Sequence, residues 1–271
     1  MLLWKLLSMK IKFDTNELGK TFIYFDSISS TNDYMKSNAH KLKHGAVVLT
    51  TNQTNGRGSK SHSWSSVENE SIALSILLKD INVKFLKTIP IMTAISVTDM
   101  LSSIGIENSK IKWFNDILIN DKKVAGLLCE SVIQGEYADV VLGIGMNVNS
   151  SNLMFKKLGL SNAGSLFTQT GKKYDITLIV KLLVESIEKI FKMFSTNSSK
   201  IVESFLIDQY VSKCVTIGKM VKILKKDDVI IAKAIGISCE GDLICEKDNV
   251  RFEVRSSEVS IRGIENYIDL S

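Results

Sequence analysis

The chain has 271 residues, 45% of them hydrophobic and 23% charged, with 34 basic against 29 acidic side chains for a net charge of +5. That is enough for one large domain, or a large and a small one, around a real core, and it excludes a disordered or fibrous chain. The basic excess is spread out, with no basic-aromatic strip, so DNA is not an expected partner; a nucleotide or an acidic protein fits equally well.

Cys129, Cys214, Cys239 and Cys245 stand far apart, and His40, His44 and His62 make no ligand pattern. Neither a disulfide framework nor a metal site is expected, and a reduced, cytoplasmic setting is the default. The N-terminal MLLWKLLSMK is broken by Lys5 and too short for a signal-peptide core. No run reaches the roughly 18 apolar residues needed to span a bilayer, so no membrane association is expected.

In chain order, residues 22–26 (FIYFD) predict a short strand. A helix follows, with Ser30 or Thr31 as N-cap, Asp33 in its first turn, Lys41, Lys43 and His44 in its last, and Gly45 closing it. Residues 46–53 predict a strand running into the polar loop TNGRGSKSHSWSS, and 71–79 a strand with one face in a core. Thr88 and Pro90 open a helix whose residues Ile91, Ala94, Ile95, Val97, Met100, Leu101 and Ile104 recur at helical spacing as far as Gly105. KIKWFNDILI (110–119) and KKVAGLLCES (122–131) predict a hairpin through Asn120-Asp121, and 137–149 a third, mostly buried strand. An amphipathic helix is expected over 177–194 and a second over about 200–212. From about residue 214, short alternating strands recur every eight to ten residues, punctuated by Gly218, Gly236, Gly241 and Asp248-Asn249. The expected organisation is α+β over 1–213 with a small β-barrel over 214–271.

Four segments can carry chemistry, and each has a plainer reading. Ser30-Thr31-Asn32 is either a helix cap or a polar grip on a ligand. Gln53 to Trp64 (QTNGRGSKSHSW) is either a surface loop or a cover that folds over phosphates with its glycines, Arg57 and Lys60, without P-loop spacing. Lys112 to Glu130 is either a hairpin with solvated lysines or a sheet-walled pocket in which two cations meet an anion near Gly126. Gly143-Ile144-Gly145-Met146-Asn147 is either a bulge in a core strand or a platform for a planar group that Asn147 can hydrogen-bond.

Taken in order, these segments resemble the biotin protein ligases. That family's pattern runs S-T-N, Q-x-x-G-R-G-R-x-G-R-x-W, K-W-P-N-D, K-[LIV]-A-G-[IL]-L-x-E and G-I-G-x-N-[VL]. The chain has STN at 30–32, Q-x-x-G-R-G at 53–58 with Trp64 in place, KWFND at 112–116, KVAGLLCE at 123–130 and GIGMNVN at 143–149. The resemblance covers roughly 20–265. It implies a mixed sheet flanked by helices, of class II synthetase-like type, with an SH3-like C-terminal barrel.

The implied activity joins biotin to a lysine of a biotin carboxyl carrier domain through biotinyl-5′-AMP, using ATP and Mg²⁺. Lys112, Lys123 and Arg57 are the implied catalytic cations. Ser30, Thr31, Asn32, Gln53, Arg57, Gly58, Ser59, Lys123, Ala125 and Gly126 would bind biotin. Arg57, Gly58, Lys60, Trp64, Lys112, Asn115 and Asn147 would bind the nucleotide. A homodimer is common in such proteins. The roughly 20 residues before the first strand are too few for the helix-turn-helix that makes some members repressors.

The chain departs from the pattern at Ser59, Ser61 and His62, where the family has Arg, Gly and Arg, and at Phe114 in place of Pro. The lost arginine implies weaker hold on the adenylate, which then escapes to label lysines indiscriminately. A lipoate or octanoate ligase, and a degenerate paralogue that binds without efficient transfer, are the alternatives.

Overall fold

The computed structural model describes residues 11–59, 63–196, 199–224, 228–256 and 260–263. Nine strands come first: β1 (Phe22–Phe25), β2 (Val47–Thr50), β3 (Gly56–Arg57), β4 (Ser63–Trp64), β5 (Ser71–Asn82), β6 (Ser109–Lys112), β7 (Asp116–Ile119), β8 (Lys122–Gln134) and β9 (Tyr137–Asn147). Seven of them form the main sheet in the order β1-β2-β5-β9-β8-β7-β6, parallel between β1 and β2 and antiparallel elsewhere; β3 and β4 form a separate two-stranded ribbon. The helices are α1 (Thr31–Asn38), α2 (Thr88–Ser103), α3 (Asn152–Lys157), α4 (Leu166–Thr170), α5 (Ile176–Thr196) and α6 (Ser199–Lys213). No helix among the described residues is long and apolar enough to cross a membrane.

One face of the main sheet carries the core. Ile72, Leu74, Ile76 and Leu78 of β5 alternate into it, beside Leu142, Ile144 and Met146 of β9. Helix α2 lies between this face and α5 and α6, so it is apolar nearly all round rather than along one stripe. Its buried hydroxyls Thr93, Ser96 and Thr98 donate back to Ile89, Met92 and Ile95 carbonyls at 2.8–2.9 Å, which satisfies them without an outside partner. On the other face α1 covers one end, where Met35 packs on Val48, Leu77 and Val141. The remainder of that face is left for a site.

Three expectations change. Helix α1 stops at Asn38, not at Gly45: the Asn38 amide donates to the Tyr34 carbonyl at 2.8 Å, and Gly45 (φ 76°) sits in a turn bonded to Gly19 and Leu77. Lys41, Lys43 and His44 therefore lie in turns that lead the chain back to run parallel to β1. The loop after Gln53 contains the ribbon β3–β4. Most consequentially, 110–119 is two strands, broken at Trp113–Asn115. Trp113 N–H donates to Thr216 Oγ1 (2.9 Å), its Nε1 to the Gly241 carbonyl (3.1 Å), and the Phe114 carbonyl accepts from Tyr210 (2.9 Å). These partners lie about 100 residues away or more, so local pattern carries no trace of them. The Trp113–Phe114 peptide bond is cis. The predicted Asn120-Asp121 turn joins β7 to β8, both residues at positive φ (47° and 61°).

After α6 the chain forms an antiparallel sheet of β10 (Met220–Leu224), β11 (Val229–Ile237), β12 (Leu243–Lys247), β13 (Val250–Val254) and β14 (Ser260–Gly263), in the order β13-β12-β11-β10-β14. Val221, Ile223, Ala232, Ala234, Ile237, Leu243, Cys245 and Val254 are among its buried residues. It is fastened to the main body by the Val215 N–H on the Ile111 carbonyl (2.9 Å) and by Lys87 paired with Glu240 and Asp242.

The segment before β1 is tied down by one carboxylate. Glu188 of α5 is buried and accepts from the backbone N–H groups of Asn16 (2.6 Å), Leu18 (2.8 Å) and Glu17 (3.0 Å), with Lys192 at 2.7 Å. Burial pushes its pKa up, but Lys192 and the three N–H groups outweigh this and bring it from 4.5 to about 2. A depressed carboxylate stabilises fully above its unfolded pKa and loses that contribution as pH falls from 4.5 toward 2. Glu188→Gln is expected to cost about 1–3 kcal/mol at pH 7, with the gap to wild type narrowing at pH 3 in urea denaturation. A constant gap at both pH values would refute this role.

Candidate active site

Across the open face of the main sheet, strand register sets up one row. Ala73 of β5 pairs with Gly145 of β9, Gly145 with Gly126 of β8, Gly126 with Asp116 of β7, and Asp116 with Lys112 of β6. Three neighbouring positions thus carry almost no side chain, and the next two carry an acid and a lysine. A cavity of about 260 Å³ opens over this floor. The bareness is required by what lies above: a Cβ on Gly145 would stand 2.4 Å from Trp64 Cε2, and one on Gly143 2.3 Å from Asn32 Oδ1.

Lys123 reaches the same face through an irregularity. Simple alternation puts Lys123 with Ala125 and opposite to Gly126. Between Ile117 and Leu118 the β7–β8 register shifts, leaving Val124 extra. Val124 and Ala125 both enter the main core, and Lys123 turns to the cavity side with Gly126. Its Nζ lies 2.6 Å from Asp116 Oδ1 and 5.8 Å from the centre of the Trp64 ring. Lys112, 2% exposed, faces the same cavity from across the β6–β7 hairpin.

The third wall is the start of α1. Ser30 caps the helix, accepting from Asp33 N–H (3.2 Å). Thr31 N–H donates to Gln53 Oε1 (2.9 Å), and Ser75 of β5 donates to Asn32 Oδ1 at 2.6 Å. Asn32 Nδ2 serves both the Leu128 carbonyl (3.1 Å) and Glu130 Oε2 (3.0 Å). Its amide is spent on the protein, so Asn32 fixes the wall above Gly143.

Over the floor lies the ribbon. The Trp64 ring rests on Gly145, and its indole N–H is buried without a partner among the described residues, a donor available to a ligand. Arg57 lines the cavity, yet its guanidinium is held by Asp33 (2.5 Å) and Glu130 (3.0 Å). The Asp33 hydrogen bond leads in raising the arginine's pKa. Burial works to raise both acids, but the donors Lys36, Arg57 and, for Glu130, Asn32 hold them below the usual carboxylate range.

The structure therefore brings Ser30, Thr31, Asn32, Gln53, Arg57, Gly58, Ser59, Trp64, Lys112, Asn115, Lys123, Gly126 and Asn147 around one cavity. Ala125 does not belong there: the register shift buries it in the core behind the sheet. Lys60, Ser61 and His62 lie outside the described residues. Arg57 lines the cavity with its guanidinium engaged by the Asp33 and Glu130 carboxylates. Asn115 donates to the Leu127 carbonyl (2.6 Å) and Asn147 to the Gly164 carbonyl (3.1 Å), so both amides brace the walls.

Sequence reasoning missed Asp116, which lies within KWFND, as well as Ser75 and the Gly159–Ala163 segment. That segment forms the far wall because Lys123 exchanges backbone hydrogen bonds with Asn162 and Gly164 (both 2.9 Å). Ser256, beyond β13, also reaches the cavity. Only the acidic position inside the motif could have been found from sequence.

Chemically, the arrangement offers a flat floor for a ring system, donors at one end, and two ammonium groups at the other for anionic oxygens. Gly145→Ala is expected to push the Trp64 ring off the floor, red-shifting its emission against a Trp64→Phe control. Unchanged emission would contradict the stacking.

Several known proteins are similar to this chain. The family model described as "Biotin/lipoate A/B protein ligase family" matches residues 24–147. The chain is 29% identical over 266 residues to the bifunctional ligase/repressor BirA of Bacillus subtilis, covering 95% of this chain and 79% of that protein. It is 27% identical over 225 residues to the chloroplastic biotin–protein ligase 1 of Arabidopsis thaliana, covering 75% of this chain and 60% of that one. The biotin protein ligase of Aquifex aeolicus, solved with biotin and ATP, superposes with a TM-score of 0.75 at 27% identity, over 90% of this chain and 100% of that one. Residues 24–147 thus match the biotin/lipoate A/B protein ligase family, and in ordered motifs and fold the chain is similar to biotin protein ligases.

Proposed function

We propose that this chain is an ATP-dependent ligase that attaches biotin to a lysine of a biotin carboxyl carrier domain. The convergence of Lys112 and Lys123 on one cavity above a bare floor is the observation that carries this reading. In the first step a biotin carboxylate oxygen bonds to the α-phosphorus of ATP, and the bond from that phosphorus to the bridging oxygen breaks, releasing pyrophosphate. In the second, the carrier lysine's neutral amine attacks the acyl carbon of the mixed anhydride; AMP departs with the bonding electrons, and the amine loses a proton.

Lys112 bridges the carboxylate and the α-phosphate, where negative charge gathers. Lys123, oriented by Asp116, serves the carbonyl side. The Ser30, Thr31 and Gln53 end meets the ureido ring, whose buried polar atoms must be satisfied. The ribbon excludes water from the anhydride. Among the described residues no group of three acidic, histidine or cysteine side chains forms a ready-made metal site. Mg²⁺ would accordingly enter with the triphosphate, whose own oxygens supply much of its shell.

Ser59 stands where the family's arginine would grip the adenylate. Loss of one such donor costs on the order of 10²–10³ in stabilisation of developing charge, so leakage of adenylate onto bystander lysines is expected. The test supplies ATP, Mg²⁺ and biotin with and without a carrier domain, following pyrophosphate and acceptor mass, with lipoate and a lipoyl domain in parallel. Biotin-dependent pyrophosphate release and a biotinylated acceptor are expected, and Lys112→Ala should lower the first step by roughly 10²-fold or more. Turnover of lipoate alone, or binding of biotin without pyrophosphate release, would overturn the reading.

A further inference from the structure

The ribbon β3–β4 has no ladder to the main sheet, so something else must hold it over the cavity. At its base the Thr54 and Asn55 N–H groups donate to the Ile28 and Ser29 carbonyls (both 2.9 Å), and two side-chain fastenings hold it further out. At one end the Trp64 ring rests on Gly145. At the other, the Arg57 guanidinium forks between Asp33 Oδ1 (2.5 Å) and Glu130 Oε1 (3.0 Å). Both carboxylates stand on rigid elements, Asp33 in the first turn of α1 and Glu130 in β8. Lys36 closes the ring, 2.8 Å from Glu130 and 3.3 Å from Asp33, and Asn32 donates to the remaining Glu130 oxygen at 3.0 Å. Two acids and two bases balance, so the group carries no surplus positive charge waiting for an anion.

We propose that Asp33 and Glu130 are positioning residues that latch the cavity's cover through Arg57, so that this arginine secures the ribbon rather than gripping the ligand. The inference rests on the ligase reading for its consequence, retention of the adenylate, but the latch is made by the protein's own side chains and is measurable without ligand. It places the fastening at Arg57, two residues from the position where Ser59 lacks a cation. The side chains of Arg57, Asp33 and Glu130 are 40%, 43% and 20% exposed, so salt reaches the pairs and weakens them.

The test compares the full chain with Asp33→Asn, Glu130→Gln and the double variant. Without ligand, hydrogen exchange at the Gly56, Arg57 and Trp64 amides is expected to quicken roughly five- to tenfold in the double variant. Raising salt from 0.1 to 1 M should quicken it in wild type and leave the double variant unmoved. Release of preformed biotinyl-adenylate should quicken by a similar factor. Arg57→Lys should restore part of the protection that Arg57→Ala loses. Asp33→Asn, at a half-exposed position, keeps the test open if Glu130→Gln fails to fold. Wild-type exchange in Asp33→Asn and Arg57→Ala would overturn the latch, because an arginine that grips only the ligand leaves the ligand-free ribbon untouched. If wild type forms no adenylate, the ligase reading fails while the exchange measurement still decides the latch.

Discussion

The structure depends on one constraint: a stretch of sheet must be left without side chains while the strands around it remain packed. Ala73, Gly145 and Gly126 lie side by side on three paired strands, and the row continues to Asp116 and Lys112. Glycine inside a strand ordinarily weakens it, by loss of packing and by backbone entropy. Here the opposite face compensates, since Leu74, Ile144 and Leu127 next to these positions are buried in the main core. The sheet is held from behind so that its front can be bare.

The rest of the molecule serves that bare front. The short α1 leaves part of the face open and presents its first turn to the cavity, where Ser30, Thr31 and Asn32 form a polar wall. The second sheet reaches in from outside the main body. Gly241 accepts the Trp113 indole N–H and Thr216 takes the Trp113 backbone N–H, directly beside Lys112. The turn that aims the buried lysine is thus held by residues from the end of the chain, and Ser256 adds a wall.

Much of this was legible in the sequence, and the failures have physical causes. Long periodic elements, such as the helix over 88–103 and the strand over 137–147, follow from burial pattern alone. The Asn-Asp hairpin follows from the tolerance of these residues for positive φ. The motif alone puts Ala125 in the site beside Gly126; a register shift of one residue sends it to the core while turning Lys123 forward. The split of 110–119 was invisible because Trp113 and Phe114 take their partners from Tyr210, Thr216 and Gly241. The sequence offers Arg57 as a cation for phosphates and hides its partners, since Asp33 and Glu130 lie 24 and 73 positions away. Charge partners across a fold leave little periodic signal.

The central claim is that Lys112 and Lys123 act on one anionic junction above the glycine floor. A crystal structure with a non-hydrolysable biotinyl-adenylate analogue tests it most directly. The account predicts the fused ring against Gly145 and Gly126, with the acyl-phosphate oxygens within hydrogen-bonding distance of both Nζ atoms. Density placing the analogue's phosphate away from both lysines, or its ring off the glycine row, would contradict the account.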